Sequence, residues 1–253
     1  MNNVPDWKIC LEIGLNHLGS ETLLEEIVND SRISDLGVAL SIQIKEESFY
    51  ETNKNLFLTF EQHINFIEKF KLLHIPCGIA LGPISNLKKL YDSGVKPDFL
   101  KLLSNSSCNP EFMNKVFNLF NCPKYISVGL SDFAYIKKEI IPLMSVNDRL
   151  IHTSLSHDSN DQNLSDIKIL SDLDVKVFYG LHADDHNLIN TSIGAGAEGI
   201  FFYIGNKSLN LPDFSHAIDL DDIKKVVLNA ESSFSAMKKS KDGSKSIKID
   251  LLG

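Results

Sequence analysis

Along the chain, short runs of consecutive apolar residues alternate with longer stretches in which apolar residues recur every three or four positions. The runs are Lys8–Ile13, Val38–Ile44, Ile75–Leu81, Phe99–Leu103, Lys124–Val128, Leu150–Thr153, Val175–Tyr179 and Gly199–Ile204. Most are apolar at successive rather than alternate positions, the pattern of parallel strands buried on both faces. The intervening stretches read as amphipathic helices. Glu21–Ser34 brings Leu23, Leu24, Ile27 and Ile33 to one face, with Ser20 as N-cap. Phe60–Leu73 does the same with Ile64, Ile67, Phe70 and Leu73, and Ser131–Met144, capped by Ser131, and Asp219–Met237 are comparable. Two segments break the rhythm. Lys45–Leu56 is charged and Asn-rich, which predicts a surface loop or short helix, and the polar stretch from Lys238 predicts a mobile tail.

Counted together, these make about eight strand–helix units, the number that closes a barrel. The fold class expected is therefore α/β, a single-domain (β/α)8 TIM barrel over residues 1–237, with 238–253 as tail. An open doubly wound sheet is the alternative. Against it, no G-x-G-x-x-G follows the first strand; Gly14 and Gly19 flank Leu15-Asn16-His17-Leu18 instead.

Composition narrows the function. The chain has 253 residues, a net charge of −8 and 43% hydrophobic residues, so it has apolar material for a core and lacks the basic surface that nucleic acid needs. No run approaches the roughly 20 apolar residues of a membrane span, and Met1–Trp7 carry no apolar signal segment. Cys10, Cys77, Cys108 and Cys122 are scattered, with no Cys-x-x-Cys. A reduced, cytoplasmic protein is expected, without nucleic-acid or membrane partners.

In a parallel barrel, chemistry gathers at the C-terminal ends of the strands. Those ends carry Glu12, Asn16, His17, Gln43, Lys45, Lys101, Ser104, Ser127, His152, Ser154, Ser156, His182 and His186. Glu12 and Lys101 stand out as charges inside apolar runs. Glu12 reads either as an inward acid or base or as one half of an ion pair with a strand lysine. Lys101 reads either as a snorkelling side chain or as the binder of an anionic group. His182 and His186 have a spacing that ligates a metal if helical, and otherwise sit exposed in a polar loop. Asp184 and Asp185 read as a solvated helix start, and His63, His74 and His216 as structural.

These residues resemble the N-acetylneuraminate (sialic acid) synthases and their legionaminate and pseudaminate relatives. Leu11-Glu12-Ile13-Gly14-Leu15-Asn16-His17-Leu18-Gly19 is similar to that family's E-I-G-x-N-H-x-G. Phe99–Ser104 resembles its Y-K-I-x-S, and Pro123–Ser131 its P-I-I-L-S-T-G-M-S. Pro212-Asp213 with Ile218-Asp219 and Asp221-Asp222 resembles its P-D-H…L-D-P-D-E. The resemblance implies condensation of phosphoenolpyruvate with an amino-sugar aldehyde, helped by a divalent metal (Mn or Mg), to give a 2-keto sugar acid for surface glycans, by a homodimer. It implies Glu12 and Lys101 as catalytic residues, and Asn16, Gln43, Lys101, Ser104 and Ser127 around substrate. His182 would be the metal ligand, with His186 the choice of a gapped alignment.

The sequence also departs from that pattern. Ser41 stands where the family has the lysine of K-F-Q, with Lys45 on the same loop as its substitute. Ser85 and Ser106 replace acidic residues, Leu155 and His157 an asparagine and a tyrosine, and Tyr203 the second metal histidine. Only about 20–30 residues follow the last helix, fewer than the roughly 40 of an unaided domain, so the family's C-terminal domain is not expected here. Two functions therefore remain open: a divergent synthase, or a barrel that keeps an anion pocket and serves as a binding or regulatory subunit.

Overall fold

A computed structural model describes residues 7–30, 33, 35–82 and 84–238. Eight parallel strands form the barrel: β1 (Ile9–Gly14), β2 (Ala39–Ile44), β3 (Cys77–Leu81), β4 (Phe99–Leu102), β5 (Lys124–Ser127), β6 (Arg149–His152), β7 (Val177–Gly180) and β8 (Gly199–Gly205). Each pairs with the next in sequence, and β1 also pairs with β8, which closes the sheet and leaves it without a barrel edge. The expected (β/α)8 architecture is present, and each predicted run contains its strand to within about two residues. The tail expected beyond Lys238 lies outside the described residues, as does the Ser34 end of the first expected helix.

Helices α1 (Glu21–Val28), α2 (Glu47–Thr52), α3 (Phe60–Leu72), α4 (Ile84–Ser93), α5 (Ser104–Ser107), α6 (Pro110–Leu119), α7 (Phe133–Tyr135), α8 (Asp166–Ser171), α9 (Leu188–Gly194) and α10 (Ile223–Ala236) connect the strands. Ser20 caps α1 by accepting from Leu23 N, and Thr59 with Gln62 forms a capping box on α3. The Lys45–Leu56 insertion folds as α2 and one 3-10 turn.

Two helical expectations are corrected. Over Ser131–Met144 only α7 is regular; a wider turn at Ile136–Ile140 and a 3-10 turn at Ile141–Leu143 follow it. Pro142 has no N–H to donate, which explains why an α-helix does not continue. The cap there is Asp132, whose carboxylate accepts from Tyr135 N at 2.7 Å; the Ser131 hydroxyl lies 3.3 Å from Cys108 Sγ instead. Before α10, Ile218–Asp219 forms a short strand, β9, beside Ile204 and Gly205 of β8. That strand brings the preceding loop, with Asp213 and His216, over the barrel mouth.

Outward strand residues such as Leu11, Leu40, Leu100 and Ile200 pack against the helices in the main core. Inside the barrel, Cys10, Ala39, Phe99, Tyr125, Ile151, Phe178 and Phe201 form a second core. Trp7, just before β1, closes its lower end, stacked on Tyr125 with centroids 4.8 Å apart. The lower barrel is solid, so any chemistry belongs to the upper end.

Candidate active site

Directly above the aromatic layer lies a buried ion pair. Lys101 Nζ, from β4, donates to both Glu12 oxygens of β1 at 2.5 and 2.6 Å, and Ser41 Oγ donates to Glu12 Oε1 at 3.3 Å. Glu12 and Lys101 are each 3% exposed. Both open readings of Glu12 meet here: it points into the barrel and its partner is a strand lysine. Lys101 also lies 5.4 Å from the Phe201 ring centroid and 5.8 Å from that of Tyr203. In this setting neither charge tolerates loss of the other, because an unpaired buried ion is costly.

The rim adds further polar groups. Gln43 is in register with Ala80, and Ala80 with Lys101, so one small side chain separates them across the sheet. Lys45 follows β2 and is half-buried; burial pulls its ammonium below the usual range, while Glu46 and Asp213 push it back up. Asp213 is raised to about 6, by burial first and by the Glu12 charge second. Gly14 ends β1 at φ +55°, and a Cβ there would stand 2.5 Å from Tyr203 Cε1. Glycine is what lets Tyr203 close over the turn.

Asn16 spends its amide on backbone: Nδ2 donates to Ile204 O at 2.9 Å and Oδ1 accepts from Asp213 N at 3.3 Å. It holds the first loop to β8 and to the Asp213 loop. Ser104 opens α5, and its Oγ lies 3.3 Å from where a Cβ on Gly129 would stand. Ser127 ends β5, its carbonyl accepting from Ser107 Oγ at 2.6 Å. Both serines are buried at the mouth. Beside them a cavity of about 430 Å³ is lined by His152, Ser154, Asp161 and Gln162, among others.

His182 and His186 lie in the loop before α9, not on a helix, so the helical ligand pair does not form. His182 packs against Tyr203 and His216, with centroids at 5.5 and 5.2 Å, and burial, with Lys101 next, lowers it to about 3. Burial also pushes the Tyr203 phenol well above its ordinary value. With Tyr203 where the resemblance implies a second histidine, His182 is the one imidazole of that pair. A different group, His157, Asp184 and His216, brings its donor atoms within 4.8 Å of one another and is compatible with a metal. His157 and His216 were not legible as partners, because the group is assembled from three separate loops.

A parallel barrel with a buried charge pair at its C-terminal mouth is the class of molecule these features define. Among solved structures, the N-acetylneuraminic acid (sialic acid) synthetase of Leptospira borgpetersenii serovar Hardjo-bovis, in complex with citrate, is similar at TM-score 0.82 and 20% identity. That match covers 97% of this chain and 89% of the synthetase. Spore coat polysaccharide biosynthesis protein spsE of Bacillus subtilis is similar at TM-score 0.77 and 16% identity, over 90% of this chain and 68% of its own. A truncated 3-deoxy-D-arabino-heptulosonate 7-phosphate synthase of Thermotoga maritima is similar at TM-score 0.71 and 14% identity, over 91% and 87%. No family model matches the chain, and no curated sequence matches it. The chain has the fold of these synthase barrels. Among the described residues, no helix is long and apolar enough to cross a membrane.

Proposed function

We propose that the chain belongs with the sialic acid synthases and joins phosphoenolpyruvate to an amino-sugar aldehyde in surface-glycan biosynthesis. The observation that carries this reading is the buried Glu12–Lys101 pair at the mouth of a barrel with that fold. Lys101 and Lys45 supply the cations, and the Ser104 and Ser127 hydroxyls the neutral donors, that a small phosphorylated carboxylate needs. The Leptospira synthetase is in complex with citrate, a small polycarboxylate, which is in keeping with a small anionic substrate for a protein of this fold. Gln43 lines the same layer as Lys101 and orients the bound anion.

In the proposed reaction, the enol carbon of phosphoenolpyruvate forms a bond to the aldehyde carbon, and the aldehyde oxygen takes a proton. Water adds its oxygen at C2 and inorganic phosphate leaves, giving the 2-keto acid. Glu12, sharing Lys101 with the bound anion, orients that water and accepts its proton. Lys45 and Asp213, the titratable groups at the rim, are the proposed proton donors to the aldehyde oxygen. No step here is routed through a metal.

The second reading, a barrel that binds the anion without turning it over, is favoured by one observation: Ser41, Ser85, Ser106 and Tyr203 stand where the family's pattern has a lysine, two acidic residues and a histidine. The two separate in one experiment. Incubation with phosphoenolpyruvate and a panel of N-acetylated hexosamines should release phosphate only when both substrates are present. Calorimetric binding of phosphoenolpyruvate without any release selects the binding subunit, and neither binding nor release contradicts both.

A further inference from the structure

We propose that His157, Asp184 and His216 form a binding site for a divalent transition-metal cation of the zinc or cobalt kind, on the loops above the barrel mouth. The His216 ring packs against His182 and Tyr203, with centroids at 5.2 and 5.0 Å, but the three donors are a different set of residues, and the site's existence does not depend on the proposed reaction.

Three loops converge on one point. His157 Nδ1 lies 3.1 Å from Asp184 Oδ1 and 2.9 Å from Ser215 Oγ, and His216 Nδ1 lies 3.5 Å from that same hydroxyl. Donor atoms of His157, Asp184 and His216 all fall within 4.8 Å of one another. The two imidazole rings are 4.9 Å apart and inclined at 66°, so they share neither a hydrogen bond nor a parallel stack. Of the two rings, only His157 is within hydrogen-bond distance of the Asp184 carboxylate, but two imidazoles and a carboxylate gathered at this spacing form a donor set that one cation can share.

His216 supplies the second, independent observation. It is 4% exposed, and its Nε2 is buried without a hydrogen-bond partner. The nearest charged acceptor is Asp213 Oδ1, at 3.9 Å. A cation on the Nδ1 side would fix the tautomer and leave Nε2–H facing that carboxylate, the outer-shell partner that metal-bound imidazoles take. The ring packs among His157, His182 and Tyr203, and ligation at Nδ1 would in addition account for both of its nitrogens.

The donor set decides the cation. Two nitrogens and one carboxylate suit zinc, cobalt, nickel or iron, whereas calcium and magnesium require mostly oxygen ligands. His157 and Asp184 are half-exposed on the outer side, which provides an entry path.

The test uses the whole chain stripped of metal by chelator and titrated with Co²⁺, followed by visible d–d absorption. Saturable binding at one equivalent, displaced by Zn²⁺ but not by excess Mg²⁺, is the expected result. Asp184→Asn and His157→Ala alter exposed side chains and leave the core intact, which circular dichroism checks. Each should weaken Co²⁺ by at least the roughly 10–100-fold that loss of even an outer-shell partner causes. His182→Ala should keep the binding. Absence of saturable binding, unchanged binding in Asp184→Asn and His157→Ala, or loss confined to His182→Ala would each overturn the proposal.

Discussion

At the scale of single residues, the molecule turns on charges that a barrel interior would ordinarily refuse. Glu12 and Lys101 survive there because each satisfies the other, with Ser41 as a third partner. Lys101→Ala should therefore destabilise the ligand-free fold by about 3–5 kcal/mol, the cost of orphaning a buried carboxylate. The double replacement Glu12→Gln with Lys101→Met should lie much closer to the parent in chemical denaturation. A second residue-scale prediction concerns His17. Burial, with the nearby His63 second, lowers it to about 3, and its Nδ1 accepts from Gly19 N at 3.0 Å. Its folded pKa lies below the unfolded value, so the unfolded chain binds the extra proton as pH falls through about 6.5. Stability is then full above that pH and is lost below it. At pH 5 the loss from His17 alone is about 2 kcal/mol. His17→Asn, which keeps an acceptor and removes the titration, should flatten the pH dependence of thermal melts between pH 7 and 5.

At the scale of elements, the strands were legible and the mouth only partly so. A strand buried on both faces must be apolar at successive positions, so each of β1 to β8 announces itself locally. Glu12 and Lys101 were legible one at a time for the same reason, each as a charge in an apolar run. Their pairing was not, since 89 positions separate them and only barrel closure brings them together. The irregular turns after α7 and the short β9 were missed because proline and tertiary pairing override a helical period. The barrel interior makes a sharper prediction. A Cβ at Gly78 would stand 2.2 Å from the Phe99 ring, and one at Gly199 the same distance from the Phe178 ring. Gly78→Ala or Gly199→Ala should each cost about 1–3 kcal/mol or more through overpacking. A surface glycine with open space around it and a negative φ, Gly194, should accept alanine with little change in melting temperature.

At the scale of the whole molecule, the barrel is solid below, charged in its upper layer and covered by loops rich in histidine. The lower plug of Trp7, Phe99, Tyr125, Phe178 and Phe201 holds the strand ends rigid, and the pair above it is set on strands rather than loops. A rigid base under a charged mouth suits bond formation between two bound molecules, because positioning supplies much of the barrier reduction. Under the proposed function, this mouth makes a carbon–carbon bond from phosphoenolpyruvate. The direct measurement is nuclear magnetic resonance of phosphoenolpyruvate labelled with carbon-13 at C3, incubated with the protein and N-acetylated hexosamines. The claim predicts that the vinyl signal is replaced by a methylene coupled to the former aldehyde carbon of one sugar. A vinyl signal that persists with every sugar, or that turns into the methyl signal of pyruvate by simple hydrolysis, would contradict it.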